Sequence, residues 1–341
     1  MSSRATIAAV PDPRADDPAA PIARHPRREA QEVAGDGYAA YVLEPSPPAV
    51  LEGEWFADDP VAVEVVGDRT GPALRPVPGA GPTWDEWLAG HPEHVPWAAA
   101  RWLGGRRRLE APPADLATTR LAVYVVSPAR RRANGKIALR STFGGIGTPF
   151  FGADEQVRVV GTTVVRQRGE TAAARGITTL NDAAAFVLDG PPDVAWAEGF
   201  DVPPPGDLDE VLPVAASASS FLGDWFGFAW SVLEELRAEA TSVEAGRVQL
   251  WPDAAFDCLS DGEHRRATYG ASPGDAAVAE PYLYVTPWHF GDVAPGELWD
   301  AEPFDGALLP LSAFVGAGAG AGDQRATALE FFRRRRDALA G

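Results

Sequence analysis

Apolar residues recur at helical spacing most clearly between Ser219 and Glu239. Leu222, Trp225, Phe226, Ala229, Val232, Leu233 and Leu236 fall at i, i+3, i+4 and i+7. Phe221, Phe228 and Trp230 lie off that stripe and widen it, so the first half of the predicted helix is apolar on most sides. Such an element predicts a helix held inside the fold and touched from several directions. Burial of each large side chain is worth about 1.5–3 kcal/mol. Gly223 and Gly227 cost helix propensity in water, about 0.5–1 kcal/mol each, and predict the close approach of another backbone. Glu234, Glu235, Arg237 and Glu239 gather at the far end, where the helix is expected to meet solvent.

The remaining pattern is a mixture of strands and helices. Tyr38 to Leu43 and Val61 to Val66 read as strands. Thr83, with Glu86 three residues on, predicts a capping box that opens a helix ending at Gly90. Pro96 opens a second short helix that ends at Gly104. Leu121 to Val126 and Lys136 to Phe143 read as strands joined through an Asn134-Gly135 turn. Gln156 to Val160 and Thr163 to Gln167 alternate around Gly161 and predict a hairpin. Thr179 with Asp182 caps a helix through Val187. Arg247 to Trp251, Pro281 to Trp288 and Leu308 to Phe314 read as further strands. Asp323 caps a final helix with Leu329, Phe332 and Leu339 inward.

These elements predict an α+β fold in which two mainly antiparallel-sheet halves pack around the central buried helix at 219–239. Residues 1–34 mix Pro, Ala, Arg and Asp without period and predict a disordered tail. A proline-rich stretch at 189–213 holds Pro203, Pro204 and Pro205. The expected division is an N-terminal domain at 35–190, a linker at 191–213 and a C-terminal domain at 214–341.

Composition narrows the partners. The 341-residue chain has a formal net charge of −18, which argues against nucleic acid or an anionic membrane surface as a partner. The single cysteine, Cys258, rules out a disulfide framework and a cysteine-based zinc site. No stretch approaches ~18 consecutive apolar residues, and the N-terminus has no apolar h-region. A soluble cytoplasmic protein is expected, with no membrane partner.

Several motifs hint at chemistry. Gly270-Ala271-Ser272-Pro273-Gly274 matches the pattern of a nucleophile elbow, but Pro273 has no N–H to give an oxyanion. The stretch from Phe143 to Gly152 is glycine- and phenylalanine-rich, and Gly145-Ile146-Gly147 lacks the third glycine and the helix of a dinucleotide loop. Arg140 and Arg158 flank it, and strand alternation predicts that they share a sheet face suited to a carboxylate or phosphate. His91 and His94 lie in a turn, and Asp257, Asp261, Glu263 and His264 form an acid-rich group beside Cys258. Neither has a recognised metal-ligand spacing, so no metal and no cofactor are expected. Trp288-His289-Phe290-Gly291-Asp292 places a histidine and a carboxylate at a strand end. Arginine runs at Arg106 to Arg108, Arg130 to Arg132 and Arg333 to Arg336 break the acidic background.

The stretches GTPFFGADEQVRV, RATYGASPGDAAVAEPYLYVTPW and DQRATALEFFRRRRDALA resemble those of uncharacterised hypothetical proteins from high-GC bacteria. The resemblance implies a bacterial cytoplasmic protein and carries no activity, cofactor or catalytic residue. The expected function is non-enzymatic binding of a small anionic molecule or a protein partner in a cleft between the halves. Its candidate residues are Arg140, Gly145, Gly147, Phe150, Arg158, Trp288 and His289. Two alternatives stand beside it. One is a metal- or carboxylate-assisted hydrolase using Asp257, His264 or His289. The other is an acidic inhibitor or scaffold that binds a basic partner.

Overall fold

The computed structural model describes residues 63–66, 73–76, 79, 82–92, 108–110, 117–142, 145–148, 151–152, 155–169, 171–200, 202–239, 249–250, 254–259, 266–293, 296–316 and 319–340. A small hairpin comes first, β1 (Val63–Val66) paired antiparallel with β2 (Ala73–Pro76). Helix α1 (Trp84–Ala89) opens with the expected capping box: Thr83 Oγ1 accepts from the Glu86 amide at 3.3 Å, and the Thr83 amide donates to Glu86 Oε2 at 2.8 Å. A composite helix α2 follows, α-helical over Thr118–Leu121, π-helical over Ala122–Val126 and α-helical again over Ser127–Asn134.

Five strands then run as an antiparallel meander. They are β3 (Arg140–Thr142), β4 (Gly145–Gly147), β5 (Glu155–Val160), β6 (Thr163–Arg168) and β7 (Thr171–Gly176), neighbours in that order. Helix α3 (Leu180–Leu188) is capped as expected, with Thr179 Oγ1 accepting from the Asp182 amide at 3.0 Å. Helix α4 (Ala216–Glu239) is the longest element at 24 residues. A second antiparallel sheet has the order β12-β11-β10-β9-β8, built from β8 (Gln249–Leu250), β9 (Ala254–Leu259), β10 (Arg266–Ser272), β11 (Tyr282–Pro287) and β12 (Ala307–Pro310). Helix α5 (Ala321–Ala340) closes the chain. The fold is α+β, two antiparallel sheets around one central helix.

Helix α4 packs on β3, β4 and β5 of the first sheet, on β9 and β10 of the second, and on α5. Its apolar side chains are buried on every side, the off-stripe Phe221, Phe228 and Trp230 included. Trp225 and Phe228 both lie against Phe314, at ring distances of 6.5 and 6.0 Å. The second sheet turns Ala267, Tyr269, Ala271, Leu283, Val285 and Ala307 inward, and Tyr269 meets Phe332 of α5 edge-on at 6.1 Å. Leu329, Phe332 and Leu339 are buried as the spacing predicts. Asp323 sits in the first turn of α5 and accepts from the Gly320 amide at 2.9 Å.

Several expectations are corrected. Leu121–Val126 is helix, not strand, and its middle is completely buried between β4 and α3. A short apolar run buried on all sides carries no period, so β-branched content alone argued for a strand, and packing overrode it. Asn134-Gly135 is the end of α2 rather than a hairpin turn. Gly135 is left-handed, with φ of 77°, and its amide donates to the Arg131 carbonyl at 2.8 Å. A left-handed glycine serves a helix C-cap as well as a turn, so the motif marked the conformation and not the element. The strand expected from Lys136 begins at Arg140, and the one expected at Leu308–Phe314 ends at Pro310 in a 3-10 turn over Leu311–Ala313. Of Arg247–Trp251, Gln249–Leu250 is strand. The strand at Tyr38–Leu43, the helix at 96–104 and the tail at 1–34 lie outside the described residues.

The proline-rich stretch is laid along α2 and α3. Tyr124 donates its hydroxyl to the Pro203 carbonyl at 2.7 Å, and burial raises the tyrosine pKa against the opposing pull of Arg120. Leu212 is buried, and its amide donates to the Thr178 carbonyl at 2.8 Å.

Gly223 marks a close backbone contact of α4. A Cβ there would meet Gly145 O at 2.5 Å, Thr142 O at 2.8 Å and Gly145 N at 2.9 Å, all backbone atoms. Alanine gains about 1 kcal/mol of helix propensity. The clash with immovable backbone outweighs that gain, as overpacking typically costs about 1–3 kcal/mol. Gly223→Ala is therefore expected to destabilise the protein, read as a lower urea midpoint with an unchanged m-value. A midpoint at or above the parent's would mean that the helix and the β3–β4 turn are not in register.

Candidate functional site

The first sheet brings two of the candidate arginines together. Arg140 of β3 pairs with Gly147 of β4, and Gly147 pairs with Arg158 of β5. Residues directly opposite one another share a sheet face, so the two arginines stand in one row with a glycine between them. Two strand spacings set their Cα atoms about 10 Å apart. Arg158 is completely buried at 0% exposure, while Arg140 is half-buried.

Arg158 is oriented by its neighbours on the same face. Its Nη1 donates to Gln167 Oε1 at 2.8 Å and to Gln156 Oε1 at 3.1 Å. Gln167 is held in turn, donating Nε2 to the Gly169 carbonyl at 2.8 Å. Both glutamines are buried. Amide oxygens that accept from a guanidinium fix its plane.

The two candidate glycines have packing reasons of their own. A Cβ on Gly147 would meet Arg158 Cβ at 2.7 Å and Val157 O at 2.8 Å. One on Gly145 would meet Val159 O at 2.2 Å. Both lie where β4 presses on β5, and Phe151 closes the turn with a bridge to Glu155. Phe150 lies outside the described residues.

Trp288 and His289 belong to the other sheet, past the end of β11. The Trp288 amide donates to the Arg266 carbonyl at 2.8 Å, and its indole Nε1 donates to Thr268 Oγ1 at 3.2 Å. The Arg266 guanidinium lies over the indole, 4.0 Å from the ring centre. Trp288 is nonetheless 51% exposed, and His289 and Asp292 are exposed too. Sequence reasoning missed Arg266 and Thr268 because only the β10–β11 register brings them beside Trp288.

The remaining motifs have local explanations. Ser272 ends β10 and accepts from the Gly274 amide at 3.1 Å, so its hydroxyl shapes a turn. The Tyr284 ring lies over Gly270, where a Cβ would come within 2.3 Å of it. His91 stacks on Trp87 at 3.7 Å, with its Nδ1 2.8 Å from the Trp87 carbonyl oxygen. Among the described residues no group of three or more His, Cys, Asp and Glu is placed to hold a metal ion. His94, Asp261, Glu263 and His264 lie outside the described residues, whereas Asp257 sits on β9 opposite Thr268. No helix among the described residues is long and apolar enough to cross a membrane.

The chain matches no protein family model, no curated protein and no solved structure.

Among the described residues, members of each arginine run have partners of their own. Arg108 donates Nε to the Ala319 carbonyl at 2.8 Å. Arg130 is buried and donates to the Ala138 carbonyl at 2.7 Å, and Arg131 bonds Asp193 at 3.2 Å. On α5, Arg335 is buried against the Leu298 and Phe331 carbonyls, and burial pulls its pKa down to about 10. Arg333 and Arg336 both bond Glu239 of α4, and Arg325 bonds Glu235 at 2.7 Å. At the polar end of α4, Glu235 and Glu239 are thus held by α5 while remaining partly exposed.

That clamp has a pH signature. The hydrogen bond from Arg333 holds the Glu239 carboxyl below its ordinary range. Its stabilisation is present above the ordinary glutamate pKa and is lost as pH falls through the lower folded-state value. The pair is partly exposed, so the contribution is small, about 0–1 kcal/mol. Glu239→Gln is expected to melt slightly below the parent at neutral pH, with the gap closing in acid. A gap that holds or widens in acid would contradict it.

Proposed function

We propose that this chain is a non-enzymatic binding protein for a small anion, a carboxylate or phosphate, taken at the Arg140–Gly147–Arg158 row. The observation that carries the reading is the register, which sets two arginines on one sheet face across a residue with no side chain. Arg158 supplies a rigid donor fixed by Gln156 and Gln167, and Arg140 supplies a second, more accessible one. Guanidinium groups match the planar oxygens of carboxylate and phosphate, and a pre-oriented donor loses less entropy on binding. The row lies on the first sheet, whereas Trp288 and His289 lie beside the second.

A thermal-shift series with inorganic phosphate, succinate and citrate tests it. At a hundredfold excess over Kd, the melting temperature should rise by on the order of 5 °C. Arg140→Ala should abolish that rise, measured against the variant's own unliganded melting temperature. If none of the three anions stabilises the protein, or if the variant keeps the full shift, the reading is wrong.

A further inference from the structure

We propose that the outer edge of β7 is a docking edge, at which an extended acidic segment of a partner protein adds a sixth strand to the first sheet. Strand β7 pairs with β6 on one side and ends the sheet on the other. Just past it, the Ile177 amide donates to the Thr162 carbonyl at 2.9 Å. Backbone polarity alternates along an antiparallel ladder, so Thr171, Ala173 and Arg175 turn their N–H and C=O groups toward β6. Ala172, Ala174 and Gly176 therefore turn theirs outward, and no hydrogen bond engages them among the described residues. Every residue of the strand except Ala172 is exposed, and nothing lies within 4 Å of the Cβ position at Gly176.

Among the described residues, the other edges of the two five-stranded sheets are blunted. Strand β3 has three residues and β8 has two, while β12 ends in Pro310. Short edge strands and prolines are how proteins discourage added strands. Strand β7 has six residues, no proline and three successive alanines, so neither bulk nor ring stands in the way.

Charge selects the occupant. Arg175 lies over the Phe186 ring at 5.0 Å and forms no ion pair among the described residues. By contrast, Arg166 and Arg168 already bond Glu155, and Arg166 also bonds Asp189. The edge thus offers a guanidinium held in place by stacking, beside a row of open backbone groups. A carboxylate opposite or diagonal to Arg175 completes it. A second copy of this chain fits less well. Self-pairing centred on Ala174 sets Arg175 diagonal to its own counterpart at about 7–8 Å, and each copy carries a net charge of −18.

Fluorescence anisotropy on the full chain tests the edge, using a labelled heptapeptide of alternating valine and glutamate as probe. The expected result is saturable binding that weakens with salt. A peptide of the same pattern N-methylated along one edge should bind about tenfold more weakly or worse. Ala174→Pro removes an outward N–H that β6 does not use, and it should weaken binding to the same degree. Should that variant fail to fold, the N-methylated peptide makes the same cut from the ligand's side. Arg175→Glu should reverse the preference between this probe and an alternating valine–lysine peptide. The proposal is overturned by any of three results: no saturable binding, binding that survives N-methylation, or an unchanged preference in Arg175→Glu. A dimer in sedimentation that Ala174→Pro dissociates also overturns it, because a second copy then occupies the edge. None of these outcomes depends on the anion row.

Discussion

Two antiparallel meanders each have an apolar face to hide, and one helix hides parts of both. A helix with a single apolar stripe serves one neighbour. Helix α4 carries large side chains around its whole circumference, and β3 to β5, β9, β10 and α5 all close on it. Its polar groups are settled where they stand. Ser219 and Thr118 share a hydroxyl hydrogen bond at 2.9 Å, and Ser231 donates to the Phe228 carbonyl at 2.8 Å. Trp225 and Trp230 are the exception, with buried indole N–H groups that find no acceptor among the described residues. Each such group costs about 1–3 kcal/mol, and the area these rings bury repays it.

The same demand for close packing shapes the candidate anion row. Gly223 lets α4 touch the backbone at Thr142 and Gly145, and Gly145 lets β4 press against β5. Gly147 continues that approach one step along the strand and leaves Arg158 Cβ against bare backbone. A side chain at 147 would push β4 from β5 and separate Arg140 from Arg158. The arginine row thus depends on packing that starts at the central helix. A glycine-rich loop read as ligand-gripping is first a set of backbone contacts, and any binding is built on top of them.

The sequence was most legible where one period ran long enough to have a single reading. The stripe from Leu222 to Leu236 and the side-chain caps at Thr83 and Thr179 recur in the structure. Leu121 to Val126 was illegible because total burial erases the polar phase that distinguishes period 2 from 3.6. In the candidate site, the shared face of Arg140 and Arg158 followed from alternation. Their common row did not, since register depends on how β4 is pressed between its neighbours. Arg266 beneath Trp288 was hidden for the same reason: the pair is 22 residues apart in sequence and adjacent only through β10–β11 pairing.

Charge is distributed with a logic that the net value of −18 conceals. Many arginines in this chain act as clamps on carbonyl groups. Arg108, Arg130 and Arg335 each reach a main-chain oxygen distant from their own turn or at its end. A guanidinium suits that role because it stays protonated when burial lowers its pKa, and even Arg335, at about 10, is charged at neutral pH. Against a net charge of −18, a cation on the surface stands out. Arg175, propped on Phe186 at the six-residue edge strand β7, is such a cation. An acidic strand approaching this protein is repelled by most of its surface and attracted at that edge, which makes the interaction selective before any side chain is read.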